Sequence, residues 1–430
     1  MQKIFLFVFT LFLTQVAVSQ AFTSYFTGDT TDVDIVPDAG ICLMGGATEH
    51  DSAMIWFLKQ SAGGDIVVIR ASGSDGYNDY MYSQLGVGVH SVQTIVFNDS
   101  AAAFSPYVAQ QIHNAEAVWI AGGDQNTYIK YWKNTPIEYE LQYLINAKHA
   151  AIGGTSAGMA VLGDAYFYAG NGTVTSGAAM ADPYNTAMTI DYNDFVQIPR
   201  LAHLITDTHY DSPDRRARHF AFMARLSKDY NIRPFGIACN EYVAVCIGTN
   251  GIAQVYGDYP NYEEFAYFLQ GNCYTPNTPE TCLSGQTLTW DINHEAVKVY
   301  KVPGTNGGNN TFDLNTWKEG TGGGWEDWYS INGVLTTVVG ALAPECTFVS
   351  TEKQIGENIS ISPNPSSDFI EINWGNTSPF SYKIRDIQGK ELLSGEMQRG
   401  KIDIKALPAG IYLMELEING SYFSKKFVKE

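Results

Sequence analysis

Between about residues 38 and 260, short runs that are apolar at almost every position alternate with helix-like stretches. Ile41 to Met44, Asp65 to Ile69, Val92 to Phe97 and Ala117 to Ala121 are the clearest runs, and Gly, Asn, Asp or Ser follows each of them. A strand that is apolar on both of its faces leaves no side for water. It must be covered above and below, and the intervening helices, such as Ser52 to Gln60, supply that cover. The pattern therefore predicts an α/β fold, a parallel sheet flanked by helices. In such sheets ligands sit beyond the carboxyl ends of the strands, so the loops that follow the apolar runs are where chemistry is expected.

Three other regions differ from this body. Met1 to Ser19 joins one lysine to a short apolar run and a small-residue step, Ala17-Val18-Ser19, and reads as a signal peptide over residues 1–19. The body is placed at 20–260. Residues 261–350 are rich in glycine and aromatics, as in Gly320 to Trp328, and read as a β-rich, loop-rich appendage. Residues 351–430 carry short alternating strands separated by turns such as Asp386 to Lys390 and Leu407 to Gly410, the pattern of a small β-sandwich. Of 430 residues, 26 are Lys or Arg and 45 are Asp or Glu, for a net charge of −19. A chain this acidic repels phosphate backbones, so nucleic acid is not an expected partner. Export would permit disulfides. Cys273 and Cys282, nine positions apart in a polar loop, form the best local pair, while Cys42, Cys239 and Cys246 sit in apolar runs as buried thiols. No CxxC or HExxH spacing occurs, and the reading includes no metal and no cofactor.

The strongest chemical signal is Gly153-Gly154-Thr155-Ser156-Ala157-Gly158-Met159, placed between a short apolar run and a small-residue helix start. A serine on a tight strand-to-helix turn exposes its hydroxyl, and the amide of Ala157 is then placed to donate to an oxyanion. Gly122-Gly123-Asp124-Gln125 follows another apolar run, and the amides of Gly123 and Asp124 could form the other half of that hole; a plain glycine turn is the alternative. Among eight histidines, His209 lies just past the apolar run Leu201 to Ile205, at the end of the sheet where the serine sits. A serine hydroxyl needs such a base. Phe235 to Val245 is an apolar run broken by Asn240-Glu241. A carboxylate there needs a partner, and Glu241 is read either as the orienter of His209 or as an edge residue reaching water. Ser212-Pro213-Asp214 looks like a helix start, with the helix running to about Ser227, Ala217, Phe220, Ala221 and Ala224 buried, and Arg215, Arg218 and Arg225 on a second stripe. Those arginines either hold a substrate carboxylate or pair with the chain's own acids.

The ordered series GGDQ at 122–125, GGTSAGM at 153–159, D-x-H-Y at 207–210, the arginine helix and G-I-x-x-N-E at 236–241 resembles the cyanophycinase-like branch of the dipeptidase E serine peptidases. The resemblance implies a flavodoxin-like fold akin to class I glutamine amidotransferases. It implies Ser156 as nucleophile, His209 as general base and Glu241 as its orienter. It also implies substrate recognition by Gln125, Asp207, Arg215 and Arg218. Three positions depart from the family pattern: Thr208 stands for Gln, Pro213 for an Arg and Asn240 for Asp. The triad is intact and the substrate clamp is altered, so an Asp-containing peptide or isopeptide is expected rather than cyanophycin itself. PNP at 363–365, D-x-x-G-K at 386–390 and LPAGIY at 407–412 resemble the C-terminal sorting domain of the type IX secretion system. That resemblance implies contact with the secretion machinery and a secreted or surface location. A homodimer is the assembly considered. The competing readings are an α/β-hydrolase esterase, in which the histidine follows the acid, and a binding protein that keeps the fold without catalysis.

Overall fold

The computed structural model describes residues 20–273, 277–345, 360–373, 380–386, 389–397, 401–418 and 421–430. The leader expected over residues 1–19, Cys346 and the start of the C-terminal region, 351–359, lie outside these.

The first six strands are β1 (Phe22–Gly28), β2 (Gly40–Met44), β3 (Asp65–Arg70), β4 (Ser91–Phe97), β5 (Ala117–Ile120) and β6 (Ala151–Thr155). They lie side by side in the order β1-β4-β3-β5-β6-β2. The five strands from β4 to β2 are parallel, while β1 runs antiparallel along β4. The arrangement β4-β3-β5-β6 is the 2-1-3-4 order of flavodoxin-like sheets. The next position is filled by β2, which precedes the other four in the chain.

Side-chain alternation explains why these runs are apolar throughout. Leu43, Ile69, Ile120 and Ile152 point into one core, while Met44, Val68, Trp119 and Ala151 point into another, on the opposite face. The helix Asp51–Gln60 covers the second face through Met54, Phe57 and Leu58. Helices Pro106–Asn114, Gln125–Trp132 and Pro136–Tyr143 bury Val108, Ile112, Ile129, Trp132 and Leu141 against the first.

The later strands are β7 (Ala165–Phe167), β8 (Ile190–Tyr192), β9 (Leu204–Asp207), β10 (Phe235–Cys239), β11 (Ala244–Gly248), β12 (Ile252–Tyr256), β13 (Phe265–Gly271), β14 (Val297–Pro303), β15 (Asn310–Asp313), β16 (Gly320–Thr321), β17 (Gly324–Ile331) and β18 (Val334–Val339). Strands β11, β12, β15 and β16 extend the first sheet beyond β2, and the others build a second sheet, β18-β17-β14-β13-β10-β9-β7-β8. Leu204, Ile237 and Phe268 of that sheet share the core that holds Leu43 and Ile120. Its far face is covered by the helix Arg216–Tyr230. The stretch read as an appendage thus supplies strands to both sheets: β13 pairs with β10, and β15 with β12.

Two local expectations need correction. The arginine-bearing helix begins at Arg216, not at Pro213, because the Asp214 carboxylate accepts the Arg216 amide at 3.0 Å and ends the preceding turn. The helix is also buried well beyond one stripe: Arg218, His219, Phe222 and Met223 are enclosed along with Phe220 and Ala221. Cys273 is disulfide-bonded, but Cys282 is a free, buried thiol packed in the core around the Arg216–Tyr230 helix, so the expected local pair does not form. Cys42, Cys239 and Cys246 are free and buried. The C-terminal region places a three-stranded and a four-stranded sheet around one core, with Ile370 and Ile402 from one sheet meeting Ile384, Met414 and Phe427 from the other.

His219 is wholly buried on that helix. Its Nε2 donates to the Ile205 carbonyl at 3.2 Å, and Nδ1 accepts from the Tyr210 hydroxyl at 3.2 Å. Burial disfavours the imidazolium and pulls its pKa down to about 4. The unfolded chain therefore binds a proton that the folded chain refuses between about pH 6.5 and 4, and stability falls as pH drops through that window. From pH 7 to pH 5 this group alone is expected to remove about 2 kcal/mol. Urea titrations at the two pH values check it, and the His219→Gln protein should lack that share of the loss.

Candidate active site

The strained turn after β6 has a definite cause. Ser156 adopts φ 51° and ψ −116°, and its amide donates to the Met44 carbonyl at 3.0 Å, so the chain stays bound to β2 while it reverses into the short helix Ala157–Ala160. A backbone of this kind costs about 1–3 kcal/mol and is kept where the surroundings enforce it. Here Gly158 enforces it, because a Cβ at that position would lie 2.0 Å from the Ile120 carbonyl oxygen. Only a glycine lets the turn press against β5. The result lifts the Ser156 hydroxyl off the end of the sheet.

His209 arrives from the other sheet. Two residues past β9 its backbone enters the left-handed region (φ 46°), and its amide donates to the Gly45 carbonyl at 2.8 Å. The imidazole Nε2 then lies 2.8 Å from Ser156 Oγ, and Nδ1 lies 2.7 Å from a Glu241 carboxylate oxygen. With Nδ1–H donating to Glu241, Nε2 is the acceptor for the serine hydroxyl. Glu241 sits in the turn between β10 and β11. The run Phe235 to Val245, read as one interrupted strand, is in fact two strands in different sheets, and Asn240-Glu241 is the crossing between them. The Glu241 amide donates to the Asp211 carboxylate at 2.9 Å, which holds the turn toward His209. The remaining seven histidines lie elsewhere: His90 meets Asp65, His113 meets Glu140, His203 meets Tyr192 and His294 meets Asp291, while His50 and His149 flank helices and His219 is in the core.

On the other flank of the serine, a Cβ at Gly122 would be 3.6 Å from Ser156 Cβ, so the turn after β5 lies directly beside the hydroxyl. The Tyr128 hydroxyl donates to the Ala121 and Gly122 carbonyls, both at 2.9 Å, and pins that turn. Asp124 spends its carboxylate on the Asn126 amide (3.1 Å) and the Thr127 hydroxyl (2.7 Å), capping the helix that Gln125 opens. What Gly123 and Asp124 can present to a ligand is therefore backbone. Ala157 begins its helix beside the serine.

The residues expected to hold substrate divide into two kinds. Asp207 and Arg218 are both buried and bind each other through two hydrogen bonds, one of 2.9 Å from Arg218 Nε. Burial works against the Asp207 carboxylate, yet the adjacent Arg218 guanidinium holds it below its ordinary range. Asp207 also accepts the Thr208 amide at 2.8 Å, and Arg215 donates to the Thr208 carbonyl at 3.0 Å. Together they clamp the residue before His209 from both sides. Arg215 is half-buried and makes no ion pair among the described residues, and Gln125 is likewise half-buried at its helix start.

Sequence reading passed over Gly46. It lies at φ 117°, and a Cβ there would be 2.4 Å from His209 Nε2. The imidazole packs directly against bare backbone. The only trace of this in the sequence is the glycine pair that ends the first apolar run. Gly46→Ala is expected to lower kcat/KM by ~100-fold or more through displacement of the ring, with the fold retained, and kinetics beside near-ultraviolet circular dichroism check it.

Residues 360–430 match the family described as the secretion system C-terminal sorting domain. The cyanophycinases of Synechococcus elongatus and Thermosynechococcus vestitus are each 24% identical to this chain over 173 residues, 40% of its length. The chain is cyanophycinase-like and carries a secretion sorting domain. The match spans 48% of the length of each of those relatives. A crystal structure of a peptidase from an acI-B1 Actinobacterium is 13% identical, with a TM-score of 0.36, covering 52% of this chain and 89% of that one.

Proposed function

We infer that the chain is an exported serine peptidase that hydrolyses peptide or isopeptide bonds beside an aspartyl residue. The observation that carries this reading is the continuous relay of Ser156 Oγ, His209 and Glu241, linked at 2.8 Å and 2.7 Å at the carboxyl ends of the strands. Ser156 attacks the carbonyl carbon while His209 Nε2 takes the hydroxyl proton. Glu241 holds the Nδ1–H and steadies the imidazolium that forms. The oxyanion is received by the amides of Ala157 and of Gly123 or Asp124. His209 returns the proton to the leaving nitrogen, and a water molecule repeats the attack to free the acyl group. Arg215 and Gln125 flank this centre as substrate contacts, and Asp207 and Arg218 act on the reaction through the backbone that positions His209.

The order serine, histidine, acid along the chain speaks against the α/β-hydrolase reading, in which the histidine comes last. Thr208 and Pro213 stand where cyanophycinases carry a Gln and an Arg, so a related Asp-containing peptide or isopeptide suits the site better than cyanophycin itself. The tail at 360–430 supports export through the type IX secretion machinery to the cell surface or the medium.

Ser156→Ala is expected to reduce kcat/KM on aspartyl peptides by at least ~10⁴-fold, and Glu241→Gln by a smaller factor through loss of imidazole orientation. Steady-state kinetics on α- and β-linked aspartyl peptides check both, and a Ser156→Ala protein as active as wild type would end the reading.

A further inference from the structure

Cations are scarce in this chain, and two arginines beside the site have acidic partners: Arg216 meets Asp214 and Arg218 meets Asp207. Arg70, at the carboxyl end of β3 in the first sheet, and Arg215, in the segment after β9 of the second, make no ion pair among the described residues. Arg215 stands on the His209 side. Arg70 stands on the opposite side, and sequence reading gave it no role.

Arg70 is the last residue of β3, between β4 and β5. The chain leaves β3 toward one neighbour and returns on the other side at β5, so this is the switch point where an open α/β sheet forms its ligand crevice. Ile69 is opposite Ile120, Ile120 is opposite Gly154, and the Ala121 amide donates to the Ile69 carbonyl at 3.1 Å. Arg70 is therefore two strands away from Thr155, roughly 10 Å at the usual strand spacing. That distance is about three residues of extended peptide.

The guanidinium is held but not satisfied. Nε donates to the Ser72 carbonyl and Nη1 to the Ser74 carbonyl at 3.2 Å. Gly73, at φ 94°, passes so close that a Cβ would lie 2.4 Å from Nη2. The guanidinium carbon stands 5.8 Å from the centre of the Tyr77 ring. Glu49, the nearby acid on that face, is taken by the Tyr77 hydroxyl. A planar cation fixed by two carbonyls and a ring, with its remaining donors unused among the described residues, is preorganised for a carboxylate.

We propose that Arg70 is a specificity-determining residue that receives a carboxylate of the peptide substrate on the β3 side of Ser156, opposite Arg215. The site then takes peptides with an acidic group on that side of the scissile bond. This rests on the serine-peptidase reading for its chemistry, but the binding it claims can be measured without turnover.

The test uses the full chain carrying Ser156→Ala, titrated calorimetrically with α- and β-linked aspartyl peptides. Each peptide is paired with the version whose free carboxylate is capped as an amide. The expected result is tighter binding of the free acids, with the acid-over-amide preference falling about ten- to a hundredfold in Arg70→Met and recovering in part in Arg70→Lys. If Arg70→Met does not fold, Arg70→Gln, which keeps a donor for the Ser72 carbonyl, replaces it. A preference unchanged within about twofold on removing the guanidinium, or no preference at all, overturns the proposal. Active-site labelling of the unmutated chain with a fluorophosphonate separates the two claims. An unlabelled Ser156 together with Arg70-dependent binding sinks the peptidase and leaves Arg70 standing, whereas a labelled, active enzyme indifferent to Arg70 does the reverse.

Discussion

The backbone seam between the two sheets is the constraint on which the site depends. The Gly45 amide donates to the Val243 carbonyl, the His209 amide to the Gly45 carbonyl, and the Tyr242 amide to the Gly46 carbonyl. These bonds tie the loop after β2 to the loops that follow β9 and β10. The serine hangs on the same strand through the hydrogen bond from its amide to the Met44 carbonyl. Three side chains from two sheets are thereby fixed to the three residues Met44 to Gly46, and Gly46 leaves room for the imidazole. A hydrogen-bonded seam at the ends of buried strands is hard to deform, because each bond lost there leaves a polar group without water to replace its partner.

Around the seam, charge serves position as much as recognition. The buried Asp207–Arg218 pair spends its strength on the Thr208 backbone and on packing the helix against the second sheet, with the Arg218 guanidinium beside the stacked rings of Phe167 and Phe222. A buried pair of this kind adds little net stability, and breaking one side of it leaves an uncompensated charge. Its value to the site is geometric, since the residue it holds directly precedes His209. Arg215 shares that duty through the Thr208 carbonyl but makes no ion pair among the described residues, and neither does Arg70.

Much of this was legible along the chain. The doubly buried strands announced themselves as apolar runs, because a strand covered on both faces has no polar alternation to show. The serine turn carried its glycines in order, and its setting between a strand and a helix separated it from a chance match. Glu241 was visible as a carboxylate that needed a partner, though the run around it hid a crossing between sheets. The helix start at Arg216 and the state of Cys282 were misread. The first turned on a side chain reaching back two residues, at Asp214, and the second on which core closed over the thiol. The strands of residues 261–350 looked like an appendage because their pairing partners lie far away in sequence.

The amino-acid sequence by itself determined the layered α/β body, the strand ends that carry the candidate site, the candidate serine, histidine and glutamate, and the tail that matches a sorting domain. All of these follow from local pattern and residue type. Only the tertiary structure decided that Gly46 packs against the imidazole, that Arg218 pairs with Asp207, and that Arg70 ends a strand two places from the serine's, on the side away from β2. Each of those depends on which strand lies beside which, and strand order is set by long-range packing that no local run of residues records.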